Sequence, residues 1–180
     1  MTQSDQELVC LSRDGHPEMF RHLVTRYENS LLRYLDGRLG NRHAAQEGAQ
    51  ETFVRAYFSL DHLRNTASFS AWLFGIADRV VLEMRRTDRK LSTTALDDVA
   101  EQQSGKIAES GQTGDAALLQ AVQELPDAYR NVILLRFYGG QSCEEIGANL
   151  KVSLGTVTSR LSRAYVLLRQ KLADMKPEGE

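Results

Sequence analysis

The sequence predicts an all-α protein of two small helical domains joined by a flexible linker, and three observations carry this prediction. Apolar residues recur every three or four positions through most of the chain, which is the spacing of a helix with one buried side. Residues 91–115 lack that spacing and are rich in Ser, Thr, Gly, Gln and acids. The composition, 42% hydrophobic and 26% charged, is that of a globular protein. We therefore expect domains at 1–90 and 116–176, with 91–115 as a flexible acidic linker.

The charge is divided unevenly along the chain, although the net value is only −2. Residues 1–90 hold 13 lysines and arginines against 12 acids, and residues 116–180 hold 8 against 7, whereas residues 91–115 hold 1 against 5. A protein that coats nucleic acid indiscriminately would carry a large positive charge. Basic faces on the two domains are therefore compatible with the total, and the acidity belongs to the linker.

Several classes of protein are disfavoured by what the sequence lacks. No apolar run approaches the roughly 20 residues that span a bilayer, and the polar start MTQSDQELVC does not resemble a secretory signal, so we expect a cytoplasmic protein. Cys10 and Cys143 show neither disulfide nor zinc-site spacing. No carboxylate cluster, metal set or activated nucleophile is visible. We expect no catalytic residues, no metal and no cofactor, and hence no enzyme.

The first domain reads as four helices. A short opening helix is followed by a break at Gly15 and a restart at Pro17, which suits a first helical turn. The second helix then runs to Leu39, the third covers about 44–59, and the fourth covers about 68–88. The residues predicted to be buried in these helices include Leu8, Val9, Phe20, Leu23, Leu31, Tyr34, Leu35, Ala45, Ala49, Phe53, Tyr57, Trp72, Leu73, Ile76, Val80 and Met84.

The second domain ends in a predicted helix-turn-helix. Helical spacing begins again at Ala116, and the stretch DAYRNVILLRFYGG predicts a buried helix ended by glycines. Ser142 and Glu145 form a capping box for the next helix. After a short turn, the segment SLGTVTSRLSRAYVLLRQKL predicts an amphipathic helix with hydroxyls and arginines at its front. In a helix-turn-helix those front residues meet base edges, although polar second helices of ordinary packing hairpins have the same pattern.

Two stretches resemble the extracytoplasmic-function (ECF) sigma factors, the small two-domain sigma-70 subunits of bacterial RNA polymerase. QETFVRAYFSLDHLRNTASFSAWLFGIADRV is similar to their region 2, and LPDAYRNVILLRFYGGQSCEEIGANLKVSLGTVTSRLSRA is similar to their region 4. The resemblance implies an alternative sigma factor that directs promoter-specific transcription initiation. It also implies three partners: core RNA polymerase, promoter DNA and an anti-sigma factor.

The resemblance to region 4 implies which residues contact the −35 element. In that position an arginine can bind O6 and N7 of guanine, while Ser and Thr donate to phosphate or to a base. Arg163 is the strongest single candidate. The implied −35 residues are Thr156, Thr158, Ser159, Arg160, Ser162, Arg163 and, as a phosphate contact, Arg136.

The resemblance to region 2 implies a −10 surface and a polymerase-docking face. Family members capture a flipped base of the −10 element with the loop before the Trp72 helix, although Thr66 or Ser68 could equally be a plain helix cap. Trp72 itself is in register with the core, which favours packing over base stacking. The implied −10 residues are Arg64, Asn65, Thr66, Ser68, Arg79, Arg85 and Arg86, within a basic group that extends to Arg89 and Lys90. The implied polymerase contacts are Glu47, Gln50, Glu51, Thr52 and Arg55.

Some positions depart from the family pattern and keep a second hypothesis open. Thr158 and Tyr165 stand where the family usually has cations, and Lys151 takes the place of a turn glycine. Gly48 replaces a large apolar residue of the docking helix, and Gly75 and Asp78 replace residues that are commonly basic or polar. A sigma-like protein that binds an anti-sigma factor or another partner without directing transcription would keep both folds and lose DNA contacts.

Overall fold

Helices make up almost all of the computed structural model, which describes residues 3–94 and 113–174. These two segments are called the first half and the second half below. Neither contains a β-strand, and no helix within them is long and apolar enough to cross a membrane. The first half contains α1 (Asp5–Arg13), α2 (Phe20–Leu39), α3 (Arg42–Phe58) and α4 (Phe69–Thr94), and the second contains α5 (Thr113–Gln123), α6 (Asp127–Phe137), α7 (Cys143–Leu150) and α8 (Leu154–Asp174).

Local signals set most helix ends. Ser4 and Glu7 form a capping box at the start of α1, and a single 3₁₀ turn beginning at Pro17 leads into α2. Helix α2 ends at Gly40, whose φ of 67° is a left-handed conformation that glycine adopts without strain. The Asn41 side chain then accepts a hydrogen bond from the first turn of α3. The all-α prediction is therefore confirmed.

The ends of the predicted linker are helical. Helix α4 continues to Thr94, and α5 begins at Thr113, so both enter the range 91–115 that composition alone assigned to the linker. The predicted flexible linker otherwise covers residues 95–112, which lie outside the described residues. The C-terminal residues 175–180 lie outside them as well.

Two hydrophobic clusters form the core, and one of them crosses from one half to the other. The first contains Phe69, Leu73 and Val80 and lies within the first half, where partly buried Trp72 packs against it as predicted. The second joins residues of α2 and α4, such as Phe74, to residues of α6, such as Leu134. The two predicted domains therefore pack against each other in this structure.

A buried ion pair lies beside this shared core. Arg38 Nη1 donates a hydrogen bond to Asp78 Oδ1 at 2.8 Å, and the Arg38 side chain is only 2% exposed. The Tyr34 hydroxyl lies 3.2 Å from the same carboxylate oxygen. Burial raises the pKa of Tyr34, so its hydroxyl stays protonated and can donate at neutral pH. Sequence spacing assigned Tyr34 to the core but gave no sign of this pair.

Candidate nucleic-acid interface

Helices α7 and α8 form a helix-turn-helix with a turn of three residues, 151–153. The predicted capping box is present, because Ser142 Oγ accepts from the Glu145 amide at 3.1 Å and Glu145 Oε2 accepts from the Ser142 amide at 2.8 Å. A Cβ at Gly147 would stand 2.9 Å from the Val152 carbonyl oxygen, so the turn packs closely against that glycine. Local capping and one close backbone contact therefore orient α8.

The turn contains a strained residue, Lys151, which has a φ of 55°. Left-handed backbone costs a non-glycine residue about 1 kcal/mol or more. We expect Lys151→Gly to raise the free energy of unfolding by about 1 kcal/mol, measured by urea denaturation of the full chain. Lys151→Ala is the control, since it removes the same charge without relieving the backbone. Equal stability of the two variants would contradict the assignment of strain.

The front of α8 presents one exposed polar face. Val157 and Leu161 are buried, whereas Ser159, Ser162 and Arg163 are exposed. Burying the apolar side fixes the rotation of the helix and leaves these three side chains pointing away from the core. Ser159 and Arg163 line a shallow groove of about 600 Å³. The groove is lined by Ala128, Tyr129, Ser153, Gly155, Thr156, Ser159, Arg160 and Arg163.

The other residues predicted for the same surface are more constrained. The Thr156 amide donates to Ser153 Oγ at 3.2 Å, and the Thr158 hydroxyl lies 3.0 Å from the Gly155 carbonyl oxygen. Arg160 is half-buried, and the exposed Arg136 donates from Nη1 to the Gln141 carbonyl at 2.8 Å. All seven predicted residues belong to the second half, and Ser159, Ser162 and Arg163 are the most open to a large ligand.

The loop before α4 is held by an asparagine. Asn65 Oδ1 accepts from the Ala67 amide at 3.2 Å, and Asn65 Nδ2 donates to Ser68 Oγ at 3.1 Å. Asn65 therefore caps the 3₁₀ turn Thr66–Ser68 that precedes α4. Arg64 is exposed, whereas Thr66 and Ser68 are half-buried. The loop is a short, ordered turn with polar groups on its surface.

The basic side of α4 has two different environments. Arg79 and Arg86 are exposed, and Arg79 Nε lies 3.2 Å from the Gly75 carbonyl oxygen of the preceding turn. Arg85 instead contacts the second half: its Nη1 and Nη2 lie 2.6 and 3.1 Å from the two carboxylate oxygens of Asp127. The hydrogen bond with Arg85 lowers the pKa of the Asp127 carboxyl. Arg85 is therefore engaged across the two halves.

The polar face of α3 includes a charged triad. Arg55 donates from Nε to Glu51 and from Nη2 to Glu83, both at 2.7 Å, and the Glu83 bond lowers the pKa of that carboxyl. Glu47 and Gln50 are exposed on the same helix. These residues lie at a surface, as sequence spacing predicted.

Thr52 is a correction to the predicted docking set. Its side chain is fully buried, and its hydroxyl donates to the Gly48 carbonyl at 2.6 Å. It cannot contact a partner from this position. Sequence reasoning missed Val54 and Phe58, which are 50% and 80% exposed. Their spacing of four residues places them on one side of α3, and this was the signal available in the sequence.

Family models match both halves of the chain. The sigma-70 region 2 model matches residues 23–91, and the sigma-70 region 4 model matches residues 115–168. The ECF RNA polymerase sigma factor SigW of Bacillus subtilis is 29% identical over 175 residues, which cover 91% of this chain and 94% of SigW. The chain belongs to the ECF group of the sigma-70 family.

A second relative and one solved structure are also similar to this chain. The ECF sigma factor SigE of Mycolicibacterium smegmatis is 32% identical over 162 residues, covering 87% of this chain and 62% of SigE. Among solved structures, CnrH in complex with the cytosolic domain of CnrY has a TM-score of 0.72 at 23% identity, covering 97% of this chain and all of CnrH. The CnrH likeness shows a shared fold.

The structure gives a physical account of three departures from the ECF pattern. Lys151 adopts the left-handed conformation that the missing glycine would favour. Gly48 faces inward, where a Cβ would stand 3.4 Å from Met84 Sδ. A large side chain at this position would therefore have to displace Met84 in the core of the first half. Tyr165 packs edge-on against Phe137 with ring centroids 6.4 Å apart. Of the other departures, Gly75 lies against the second half, where a Cβ would stand 3.1 Å from Asn149 Oδ1, and Asp78 accepts a hydrogen bond from Arg38.

Proposed function

We propose that this ECF sigma factor binds core RNA polymerase and directs initiation through the −35 contacts of α8 and the −10 contacts of the first half. The observation that supports this most strongly is the exposed front of α8, where Ser159, Ser162 and Arg163 stand on a helix-turn-helix within a region 4 match. The same chain carries a region 2 match, so it has one domain for the −35 element and another for the −10 element. The mechanism is assembly and strand capture, with no covalent step.

At the −35 element, α8 enters the major groove by its N-terminus. Arg163 binds a guanine through O6 and N7, and Ser159 or Ser162 donates to a phosphate or base edge. The positive end of the helix dipole at the start of α8 favours a phosphate there. These steps explain why hydroxyls and arginines share one face, since each meets a different part of the duplex.

At the −10 element, the first half captures one base of the melted strand in the loop around Asn65. Extruding a base from the stack costs a few kcal/mol, which hydrogen bonds to its exposed edge offset. Arg64, Thr66 and Ser68 supply polar groups around the turn. Arg79 and Arg86, with Arg85 once it leaves Asp127, meet nearby phosphates.

Docking on polymerase uses the polar face of α3, formed by Glu47, Gln50, Glu51 and Arg55. Thr52 is removed from this set because it is buried. The role is not enzymatic, requires no cofactor and belongs in the cytoplasm, where RNA polymerase acts.

An anti-sigma partner is also expected. Solved structures of similar fold include the sigma factor RpoE of Bartonella quintana bound to the anti-sigma factor NepR. The RpoE chain is 22% identical with a TM-score of 0.70, and the match covers 87% of this chain and 98% of RpoE.

Reconstituted transcription tests this proposal. We expect the protein, mixed with core polymerase and a library of promoter DNA, to yield transcripts that depend on both components. Reversing a charge on the docking face with Glu51→Arg should abolish polymerase binding and transcripts together. Glu28→Arg is the control, because Glu28 is exposed on a different helix, α2. Stable polymerase or anti-sigma binding without transcripts would instead favour the sigma-like protein that does not direct transcription.

A further inference from the structure

Helix α1 takes no part in the contacts proposed above, yet its last residue reaches the loop that is proposed to capture a −10 base. That loop, residues 64–68, is called the −10 loop below. The region 2 match begins at residue 23, after α1 has ended. Arg13 ends α1, and its guanidinium extends to residues 60–63, which directly precede the −10 loop. Helix α1 is therefore connected to the start of this loop.

Arg13 binds the backbone at the start of the −10 loop. Its Nη2 donates to the Leu63 carbonyl at 2.6 Å and also to the Leu60 carbonyl, to which Nε donates at 3.2 Å. Hydrogen bonds from a charged guanidinium are roughly twice as strong as neutral ones. Asp61 is a minor partner, because its carboxylate lies 3.9 Å from Nε and its side chain is 87% exposed. The carbonyls of Leu60 and Leu63 are therefore the main contacts of Arg13.

The chain changes conformation where Arg13 binds it. Leu60–His62 form a 3₁₀ turn, whereas Leu63 and Asn65 are extended, with ψ values of 102° and 99°. The side chains of Leu60 and Leu63 are each only 5% exposed, so the turn is packed against the core. Backbone carbonyls at a buried turn need hydrogen-bond donors, and Arg13 supplies them from α1. The bonds therefore fix where the extended segment begins.

The −10 loop is held inside by one set of bonds and placed by another. Asn65 Oδ1 accepts from the Ala67 amide at 3.2 Å, and the Asn65 carbonyl accepts from the Ser68 amide at 3.0 Å. These bonds give the loop its shape. Its far end is fixed by Phe69, which is fully buried, and its near end by the bonds of Arg13. A change at Arg13 would therefore move one end of an otherwise ordered loop.

Helix α1 is itself anchored on the first half. Leu8 and Val9 are 1% and 0% exposed and belong to the hydrophobic cluster that lies within this half. At the other end of α1, the Asp5 carboxylate binds both Arg26 and Tyr27 of α2. Arg13 therefore reaches the −10 loop from a fixed support.

We propose that Arg13 is a positioning residue for −10 recognition, which holds the Leu60 and Leu63 carbonyls and so places the −10 loop against the flipped base. The proposal rests on the function proposed above, because it concerns the same loop. Arg13 itself does not touch DNA. A recognition site must be placed to within about 0.5 Å, so a displaced loop loses discrimination among bases before it loses all binding.

Hydrogen exchange of the free full chain tests the ordering of the loop. In Arg13→Met, the Ala67 and Ser68 amides should exchange about fivefold faster or more, because the near end of the loop is released. Arg26→Met is the matched control: it removes another arginine that binds α1, but Arg26 binds Asp5 and the Gln3 carbonyl at the opposite end of the helix. Equal acceleration of the loop amides in both variants would overturn the proposal.

Transcription with core polymerase tests the effect on recognition. The templates are four promoters that differ only in the captured −10 base, and two that differ only at the −35 element. Discrimination among the four bases, at least about fivefold for the wild type, should fall toward one in Arg13→Met. Arg13→Lys should fall less, because lysine keeps the charge and loses the planar fork. The −35 ratio should stay unchanged in both, and Arg26→Met should keep both ratios.

The outcomes separate this inference from the proposed function. A folded Arg13→Met that keeps the wild-type discrimination at the −10 base would overturn the role of Arg13 and leave the sigma function standing. An equal loss of transcripts from every promoter in both Arg13 variants would also overturn it, since that result requires only a structural role. Absence of transcripts from the wild-type protein would overturn the proposed function, and the role in recognition with it.

Discussion

Replacing Asp78 by alanine is expected to lower the free energy of unfolding of the full chain by about 3–5 kcal/mol. Asp78 Oδ1 accepts a hydrogen bond from Arg38 Nη1 at 2.8 Å, and the Arg38 side chain is only 2% exposed. Without this carboxylate, a guanidinium stays buried beside the shared core with its contacting anion gone. Urea denaturation followed by the fluorescence of Trp72, the single tryptophan, measures the loss.

A carboxylate on the same helix provides the control. Glu83 bonds to Arg55 at 2.7 Å, but the two side chains are 53% and 38% exposed, so Glu83→Ala should cost no more than about 1 kcal/mol. The double variant Arg38→Met, Asp78→Leu should recover most of the stability, because apolar packing replaces the pair without a stranded charge. Equal losses of unfolding free energy in Asp78→Ala and Glu83→Ala would contradict the buried ion pair between Arg38 and Asp78.

Replacing Arg163 by alanine is expected to weaken recognition of the −35 element by about 1–3 kcal/mol, the value of a bidentate contact to guanine. The measured quantity is the ratio of transcripts from two promoters that differ only at the −35 element. This ratio should fall toward one in the variant, because the lost contact is specific to the base.

The control for Arg163 lies on the same helix. Arg169 is exposed six residues further along α8, beyond the front turns that face the shallow groove. Arg169→Ala removes the same charge and should leave the promoter ratio unchanged. An unchanged ratio in the Arg163 variant would remove that residue from the recognition surface.

Features set by neighbouring residues were predictable from the sequence. The capping box of Ser142 and Glu145 and the buried stripe through Val157 and Leu161 depend on spacing within one or two helical turns, and both are present. The spacing also determines which face of α8 remains exposed. This is why the fold class and the front of α8 could be predicted without any contact between distant residues.

Features set by distant residues were not predictable in the same way. Thr52 reads as a polar surface residue, yet its hydroxyl is satisfied by the Gly48 carbonyl one turn earlier, which permits burial. Arg85 reads as part of a basic group, and only the fold brings Asp127 to it from 42 residues away. Gly75 reads as a departure from the family pattern, and only the fold brings Asn149 of the second half to within 3.1 Å of where its Cβ would stand. Contacts between residues on opposite sides of the linker leave no periodic signal in the sequence.

The most direct test of the account is a promoter selection read position by position, with holoenzyme assembled from the wild-type protein and from Arg163→Ala. We expect the wild-type holoenzyme to select two conserved elements at constant separation, and the Arg163→Ala holoenzyme to lose base preference only at the upstream element. A single element for the wild type, or an equal change at both elements for the variant, would contradict the assignment of the second half to the −35 element.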